Sequence, residues 1–367
     1  MAKITIQGYG TFEAAPQIAA DIISGDISSV ESYLLKGRNI NKKIKLSDGE
    51  YSYKPTPLTL ALTAGSFPTV KWLVEHGANL NAKYEHSVLT AVRYCDEDII
   101  RYLVKHGANV IEDTPNAPDA YENALYGKKY KNLPLINELG YTVKEHGSKG
   151  LFTAILDNDI QAITFFVENG VDMNSIDTTW GKTTPLCEAA RYGDLKLCKY
   201  LVAHGADATL VGRDGERPYN IAVNKGDTKM AEFFKSLEPA NFHDLQNKLQ
   251  ELIPYKLPDS LLNFLQGDNL RFDFEKNGSI RYCEFIDFLP LTDTLPMKIG
   301  RRKLLRISRQ IGEYTGTHIL WNHKTKMIAF YDEEHEELGD IATFEEFISN
   351  VEEYIRMIEK QQKIQAR

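Results

Sequence analysis

The sequence has few cysteines and no metal-binding pattern among them. Its 367 residues include only Cys95, Cys187, Cys198 and Cys283, and no two of these form a CxxC pair. This spacing favours neither a structural zinc site nor a disulfide framework, and it predicts reduced, mostly buried thiols. We therefore expect no metal and no cofactor.

The sequence also lacks a basic excess and a long apolar run. Lys and Arg number 43 against 51 Asp and Glu, which gives a formal net charge of -8. Such a chain has little positive charge to neutralise phosphates along a nucleic acid. No segment approaches the roughly 18 apolar residues of a membrane span, and the first eight residues lack a signal-peptide pattern. The sequence predicts a cytoplasmic protein with no nucleic acid and no membrane as partner.

Motifs of catalysis are missing as well. There is no GxxxxGK[ST] loop, and Gly8-Tyr9-Gly10 lacks the third glycine of a dinucleotide fingerprint. His318 and His323 have no cysteine or carboxylate at ligand spacing, and neither Cys187 nor Cys198 has an identifiable base. The chain is therefore predicted to be no enzyme.

What the sequence does contain is internal repetition. His76-Gly77-Ala78-Asn79 recurs as His106-Gly107-Ala108-Asn109 and His204-Gly205-Ala206-Asp207, with a weaker copy at Asn169-Gly170-Val171-Asp172. With Gly37 and Gly140 added, successive glycines are separated by intervals that bracket a period of roughly 33 residues. Each glycine follows an apolar helical segment, where a left-handed C-cap needs a residue without Cβ.

A second element of the repeat is a helix start with proline in its first turn. Thr56-Pro57-Leu58 and Thr184-Pro185-Leu186 show it, and together with His-Gly-Ala it resembles the ankyrin family. Residues 1–238 are thus predicted to form an all-α ankyrin-repeat solenoid, whose first, fourth and last repeats are degenerate. At residues 127–131 the array is expected to bend or break. The alignment gives about seven helix pairs, which begin near Ile18, Pro57, Ser87, Tyr121, Gly150, Pro185 and Pro218.

After Pro239 the repeat ends, and residues 241–360 predict a smaller α+β domain with a mainly antiparallel sheet. The pattern indicates helices over 242–252 and 258–266, strands over 270–275, 282–288, 316–322 and 326–331, and a last helix over 343–361, with a hairpin turn at Asn277-Gly278. Because each side of Pro239 has its own apolar pattern, we expect fragments 1–238 and 241–367 to fold separately.

This second domain resembles the SUKH superfamily, which is known chiefly for bacterial immunity proteins that neutralise toxins. The resemblance implies a non-enzymatic protein that binds a cognate toxin, for which a nuclease is one candidate. An ankyrin scaffold, adaptor or effector is the alternative, and the oligomeric state stays open. The segments that carry the resemblance are Leu257-Pro258-Asp259-Ser260-Leu261-Leu262-Asn263-Phe264-Leu265, Asn277-Gly278, His318-Ile319-Leu320-Trp321-Asn322, Met327-Ile328-Ala329-Phe330-Tyr331-Asp332 and Ile341-Ala342-Thr343-Phe344-Glu345-Glu346-Phe347-Ile348.

Candidate binding residues in the array lie at the ends of first helices and at loop tips. Arg93-Tyr94 and Arg191-Tyr192 occupy equivalent positions, which the ankyrin register turns toward the concave groove, and Arg and Tyr are enriched at binding hot spots. Tyr84 and Trp180 are expected near fingertips, where a large aromatic side chain favours either a partner or packing between neighbouring loops.

The second domain carries two clusters of opposite charge. One is basic and runs from Lys298 to Arg309, and the other is acidic. Such clusters are either solvated faces or, for the acidic one, a surface for a basic toxin. The acidic candidates are Asp332, Glu333, Glu334, Glu336 and Glu337.

Overall fold

The structure is a computed structural model that falls into two compact units, Met1–Thr179 and Trp180–Arg367. Each unit is described by itself. The residues that the structure describes are 2–34, 38–47, 52–83, 85–110, 117–177, 182–212, 215–274, 284–311 and 316–365.

The first unit is an array of short helix pairs that follows an N-terminal β-hairpin. In chain order its elements are β1 Ala2–Ile6, β2 Gly10–Ala15, α1 Gln17–Ser24, α2 Ile27–Leu34, β3 Leu46–Ser47, β4 Ser52–Tyr53, α3 Pro57–Thr63, α4 Phe67–Glu75, β5 Asn81–Ala82, β6 Glu85–His86, α5 Ser87–Tyr94, α6 Glu97–Lys105, α7 Ala120–Tyr126, α8 Asn132–Glu138, α9 Val143–His146, α10 Ser148–Leu156 and α11 Ile160–Glu168.

The N-terminal hairpin was not predicted from the sequence. Strands β1 and β2 pair antiparallel, and their apolar residues Ile4, Ile6, Phe12 and Ala15 are buried. Burial alternates over the five residues of β1 but not over the six of β2, which is a weak signal beside the repeat. The hairpin lies at the end of the array, where a terminal repeat would otherwise expose its apolar face.

The helix starts follow the predicted repeat. First helices begin within two residues of every expected position, for instance at Pro57, where Thr56 Oγ1 accepts a hydrogen bond from the Thr59 N–H at 3.2 Å. Gly77 and Gly107 have φ of 86° and 93°, so a left-handed residue ends each helix pair as the pattern predicted. Gly37 lies outside the described residues.

The fourth helix pair packs on the helices before and after it, so the array is not broken at 127–131, which are all described residues. Gly127 lies against the Arg93 carbonyl oxygen so closely that a Cβ there would clash with it at 1.8 Å. Buried Asn132 donates to the carbonyls of Val92 and Cys95, at 2.9 and 3.0 Å. The unusual turn sequence therefore fits α7 and α8 to the preceding repeat.

The second unit begins with two more helix pairs and continues into sheets and helices. Its elements are α12 Pro185–Tyr192, α13 Leu195–Ala203, α14 Pro218–Lys225, α15 Thr228–Leu237, α16 Leu245–Leu252, α17 Asp259–Leu265, β7 Arg271–Asp273, β8 Phe285–Phe288, β9 Leu295–Ile299, β10 Arg302–Arg306, β11 Ser308–Ile311, β12 Thr317–Asn322, β13 Met327–Asp332, β14 Glu337–Ala342, α18 Phe344–Ser349 and α19 Val351–Gln365.

The sheets are antiparallel, as predicted. The larger one has the strand order β14-β13-β12-β10-β9, and the smaller one has the order β11-β8-β7. One core contains Trp321, Phe330, Phe288 and Phe347, with the two helices before the sheet and the two after it. A second, smaller cluster of Met297, Leu304, Leu320 and Ala329 also packs on the larger sheet.

The fold class is confirmed, but several strands were not foreseen. Strands β9, β10 and β11 lie in the segment that had stood out only for its basic residues, and β14 begins within the acidic run. Strands β10 and β14 do not alternate between buried and exposed residues, so they lack the period-2 signal by which strands are predicted. The last helix is interrupted at Asn350, whose φ of -144° is not helical. Asn277-Gly278 lies outside the described residues.

The last two helix pairs and the sheet region share one compact unit. Buried Lys248 donates to the Thr294 carbonyl at 2.7 Å, and the Tyr219 hydroxyl donates to Asp293 Oδ1 at 3.3 Å. Burial lowers the pKa of Lys248 and raises the pKa of Asp293. The separate folding of 1–238 and 241–367 stays a prediction.

Candidate protein-binding surfaces

Tyrosines and one arginine form two aromatic groups on the first unit, Tyr9–Tyr53 and Tyr94–Arg93–Tyr126, and Gly8 beside the Tyr94 hydroxyl links them. We call these residues the tyrosine ladder. The Tyr9 ring of the N-terminal hairpin stacks on Tyr53, with ring centroids 4.0 Å apart. The Arg93 guanidinium lies 5.5 Å from the ring centroids of both Tyr94 and Tyr126. These are the distances at which a cation is attracted to an aromatic face.

The inner members of the ladder are buried and the outer ones are exposed. Tyr94 is only 9% exposed, and its hydroxyl lies beside Gly8 of the hairpin. Burial raises the pKa of Tyr94 and, together with the hydrogen bond to Tyr9, that of Tyr53. Tyr9 and Tyr126 are 45% and 47% exposed. Tyr94 thus supports the ladder, while Tyr9 and Tyr126 are available to a partner.

Sequence reasoning missed Tyr9 and Tyr126, and also exposed Leu156 at the end of α10. Tyr126 and Leu156 end first helices in the register of Arg93, so an alignment by that register alone would have found both. Tyr9 had no such signal, because only its stacking on Tyr53 brings the hairpin to the ladder.

Arg191 and Tyr192, at the corresponding place in the second unit, are arranged in the opposite way. Tyr192 is 57% exposed. The Arg191 side chain is 20% exposed and forms ion pairs with Glu188 at 2.7 Å and with Glu216 at 3.1 Å. A partner can therefore reach Tyr192, whereas Arg191 is already engaged within the protein.

Glu216 is the centre of this buried charge network. Its Oε1 accepts from Arg306 Nη1 of β10 at 2.6 Å and from Asn224 Nδ2 at 2.7 Å, while its Oε2 accepts from Arg191. Glu216 and Arg306 are 7% and 6% exposed. Two guanidinium groups around one carboxylate offset the cost of burying each charge, and they tie the last repeats to the sheet.

The acidic candidates occupy a hairpin turn between β13 and β14, and most of them have partners. Asp332 is buried and accepts from the Glu334 N–H at 2.9 Å, and its Oδ2 lies 2.9 Å from His335 Nδ1. This contact raises the pKa of His335. Glu333 Oε1 lies 2.9 Å from Nε2 of His318.

The acidic turn therefore presents fewer free charges than its sequence suggests. Burial lowers the pKa of His318, which faces Glu333. Glu337 is half-buried at the start of β14, which leaves Glu334 and Glu336 as the exposed carboxylates. They still concentrate negative charge at one end of the sheet.

The remaining predicted sites concern fingertips, histidines and cysteines. Tyr84 and Trp180 lie outside the described residues, as does Cys283. His76 Nδ1 lies 2.7 Å from the Trp72 carbonyl oxygen, and its ring stacks on Trp72 at 3.9 Å, so this histidine closes the end of its own helix. His106 and His204 make the same contact with Tyr102 and Tyr200.

The described cysteines Cys95, Cys187 and Cys198 are buried and reduced, and burial raises the pKa of each thiol, to about 12 for Cys95 and Cys198. Within the described ranges, no group of three or more His, Cys, Asp or Glu residues could hold a metal ion. No helix in the same ranges combines the length and apolar character that crossing a bilayer requires.

Comparison with known proteins identifies the repeat. A family model described as ankyrin repeats matches in three copies over residues 17–113 and 151–243, which together make up more than half of the chain. The chain therefore belongs to the ankyrin-repeat family, as the sequence predicted, and such membership implies interaction with other proteins.

Individual relatives resemble only part of the chain. Putative ankyrin repeat protein R598 of Acanthamoeba polyphaga mimivirus is 26% identical over 46% of this chain and 53% of its own length. Human Rabankyrin-5 is 30% identical over 41% of this chain and 14% of its own length. The chain thus spans about half or less of these relatives. The crystal structure of the human ASB11 ankyrin repeat domain matches with a TM-score of 0.47 and 15% identity, over 61% of this chain and 98% of that domain.

Proposed function

We propose that this chain is a non-enzymatic binding protein that recognises a protein partner through the tyrosine ladder. The ladder is the observation that carries the proposal. Its outer tyrosines, Tyr9 and Tyr126, are about half exposed. The Arg93 guanidinium makes cation–π contacts with the rings of Tyr94 and Tyr126. Tyr and Arg are, with Trp, the side chains enriched at binding hot spots, and Tyr buries a large area at little entropic cost.

We further propose that the partner is a toxin and that the chain is an immunity protein of a bacterial cell. The support is the resemblance of residues 241–360 to the SUKH superfamily, together with the predicted order of helices, antiparallel strands and C-terminal helices in that region. The exposed carboxylates Glu334 and Glu336 suit a basic partner, for example the phosphate-binding surface of a nuclease, since surface charge of opposite sign speeds encounter.

The ladder is tested in cells that express the toxin encoded by a neighbouring gene. The full chain should protect such cells, and Tyr9→Ala with Tyr126→Ala should weaken toxin binding by about 30-fold or more, because a hot-spot side chain contributes about 2 kcal/mol or more. Tyr33→Ala is the matched control. Tyr33 is also an exposed tyrosine, but its ring lies 3.9 Å from the guanidinium of Arg38, which is not part of the ladder.

Two results would count against the proposal. If protection survives the double substitution and fails with Tyr33→Ala, the ladder is not the binding surface. If no adjacent toxin exists and the chain instead binds a host or signalling protein through the same tyrosines, the ankyrin scaffold or adaptor interpretation replaces immunity.

The acidic turn has a separate test. Reversing Glu334 and Glu336 to lysine should slow association and flatten its dependence on salt, because exposed charges act over about 8–10 Å in physiological buffer. Association rates measured by surface plasmon resonance at several salt concentrations provide the readout. Rates unchanged by the reversal would leave the turn without a role in recognition.

A further inference from the structure

Two turns that are far apart in sequence lie at the same end of the larger sheet. Strands β10 and β12 pair antiparallel, with Leu305 opposite Trp321. The β9–β10 turn lies a few residues before Leu305, and the β12–β13 turn lies a few residues after Trp321. Because neighbouring antiparallel strands run in opposite directions, both turns lie at the same end of the strands.

These turns bring six exposed cations together, and we call them the basic edge. Within the described residues none of them forms an ion pair with a carboxylate. Lys298 and Lys303 stand directly opposite each other on paired strands, an arrangement that is destabilising for like charges. The six residues are Lys298, Arg301, Arg302, Lys303, Lys324 and Lys326.

Arg306 on the same strand shows how this protein treats a cation that has a structural role. It is buried and binds Glu216 at 2.6 Å. A lysine on an edge strand such as β9 commonly prevents pairing with another chain, which accounts for Lys298. It does not account for Arg301, Lys324 and Lys326, which lie in turns.

We propose that the basic edge binds an acidic segment of a partner protein. Positive charge of this density, which no carboxylate among the described residues pairs with, favours an anionic ligand. The acidic turn lies at the opposite end of the same sheet, about 20 Å away for strands of six residues. A long polyanion such as nucleic acid would meet that negative charge and the net charge of -8, whereas a short acidic peptide fits on the basic edge alone.

This interaction is independent of the tyrosine ladder, so it can be tested with the full chain and no toxin. The probe is a fluorescein-labelled decaglutamate peptide, and its anisotropy is followed at low salt and at 150 mM salt. A labelled single-stranded oligothymidylate of equal charge serves as the second probe. We expect the peptide to bind more tightly than the oligonucleotide, with an affinity that falls as salt rises.

Variants of each turn separate the contributions. Arg301→Gln with Arg302→Gln, and independently Lys324→Gln with Lys326→Gln, should each weaken peptide binding about fivefold. The matched control, Lys229→Gln with Lys235→Gln, removes two exposed cations from α15 and should not weaken binding. All these side chains are exposed, so the melting temperature should stay constant.

Three results would overturn the inference. One is peptide affinity that is unchanged when both turns are neutralised. Another is tighter binding of the oligonucleotide than of the peptide, which would make nucleic acid the ligand. The third is loss of binding on neutralising one turn but not the other, since the two turns would then not form one surface.

Discussion

Arg93-Tyr94 and Arg191-Tyr192 occupy the same place in two repeats, yet their side chains have exchanged roles. In the first unit Tyr94 is buried and Arg93 lies over aromatic rings. In the second unit Tyr192 is exposed and Arg191 belongs to a buried ion network. The repeat determines where the first helix ends. The surrounding residues determine which of its last two side chains is buried.

The residues around these two positions differ because a hairpin packs beside the repeats of the first unit and a sheet beside those of the second. The hairpin β1–β2 stacks Tyr9 on Tyr53 and places Gly8 beside the Tyr94 hydroxyl. The larger sheet instead adds Arg306, which needs a buried carboxylate, and Glu216 supplies it. Around Arg93-Tyr94 the contacts are therefore mainly aromatic, whereas around Arg191 they are mainly ion pairs.

The sharpest test of this comparison is removal of Glu216. Glu216→Ala leaves Arg191 and Arg306 buried without their shared carboxylate, so it should lower the free energy of unfolding by about 3–5 kcal/mol. Arg93→Ala, which exposes no buried charge, should change it by less than about 1 kcal/mol. Urea unfolding of both variants provides the measurement, and equal losses would contradict the assigned roles.

The two tyrosines provide a second contrast. Tyr94→Ala empties a buried site and should cost about 3 kcal/mol of stability, as large aromatic truncations do. Tyr192→Ala removes a mostly exposed ring and should stay within about 0.5 kcal/mol. Thermal melts distinguish them, and a destabilised Tyr192→Ala variant would show that this ring packs inside the protein.

A buried carboxyl in the first unit predicts a pH effect. Asp119 caps α7 through the Glu122 N–H at 2.9 Å, and burial raises its pKa to about 7. Since the pKa of Asp119 in the folded chain lies above its unfolded value, the protonated carboxyl contributes full stability below about pH 4. This contribution is lost as pH rises from about 4 to 7. The loss is at most about 4 kcal/mol, and about 2 kcal/mol is a realistic expectation.

Asp119→Asn keeps a capping side chain but cannot ionise. The stability of the variant relative to the natural protein should therefore improve steadily between pH 4 and pH 7. Denaturant titrations across that range measure the difference. A constant difference would mean that Asp119 ionises as readily in the folded chain as in the unfolded one.

The smallest effect tests the docking of the hairpin. Gly8 and Gly10 both have positive φ, 80° and 91°, so alanine at either one incurs backbone strain. A Cβ at Gly8 would also lie 2.8 Å from the Tyr94 hydroxyl, whereas none of the atoms around Gly10 lies within 4 Å of its Cβ position. Gly8→Ala should thus cost about 1 kcal/mol more than Gly10→Ala in thermal melts. Equal costs would show that the hairpin does not depend on this contact.

Much of the array could be predicted because its signals are local. A glycine with positive φ, a proline in the first turn and an apolar stripe act within a few residues, so the helix starts at Pro57, Ser87 and Pro185 follow from the chain itself. In the second unit, β12 and β13 were predicted for the same reason, since both have strong β-forming side chains.

The sequence alone determined the ankyrin repeat, its register and the class of the region that follows, because each depends on interactions between near neighbours. Only the tertiary structure decided that Arg191 faces Glu216, that Tyr9 meets Tyr53, and that Lys324 shares an edge with Arg301. These residues are distant along the chain, and no local pattern determines which of them the fold brings together.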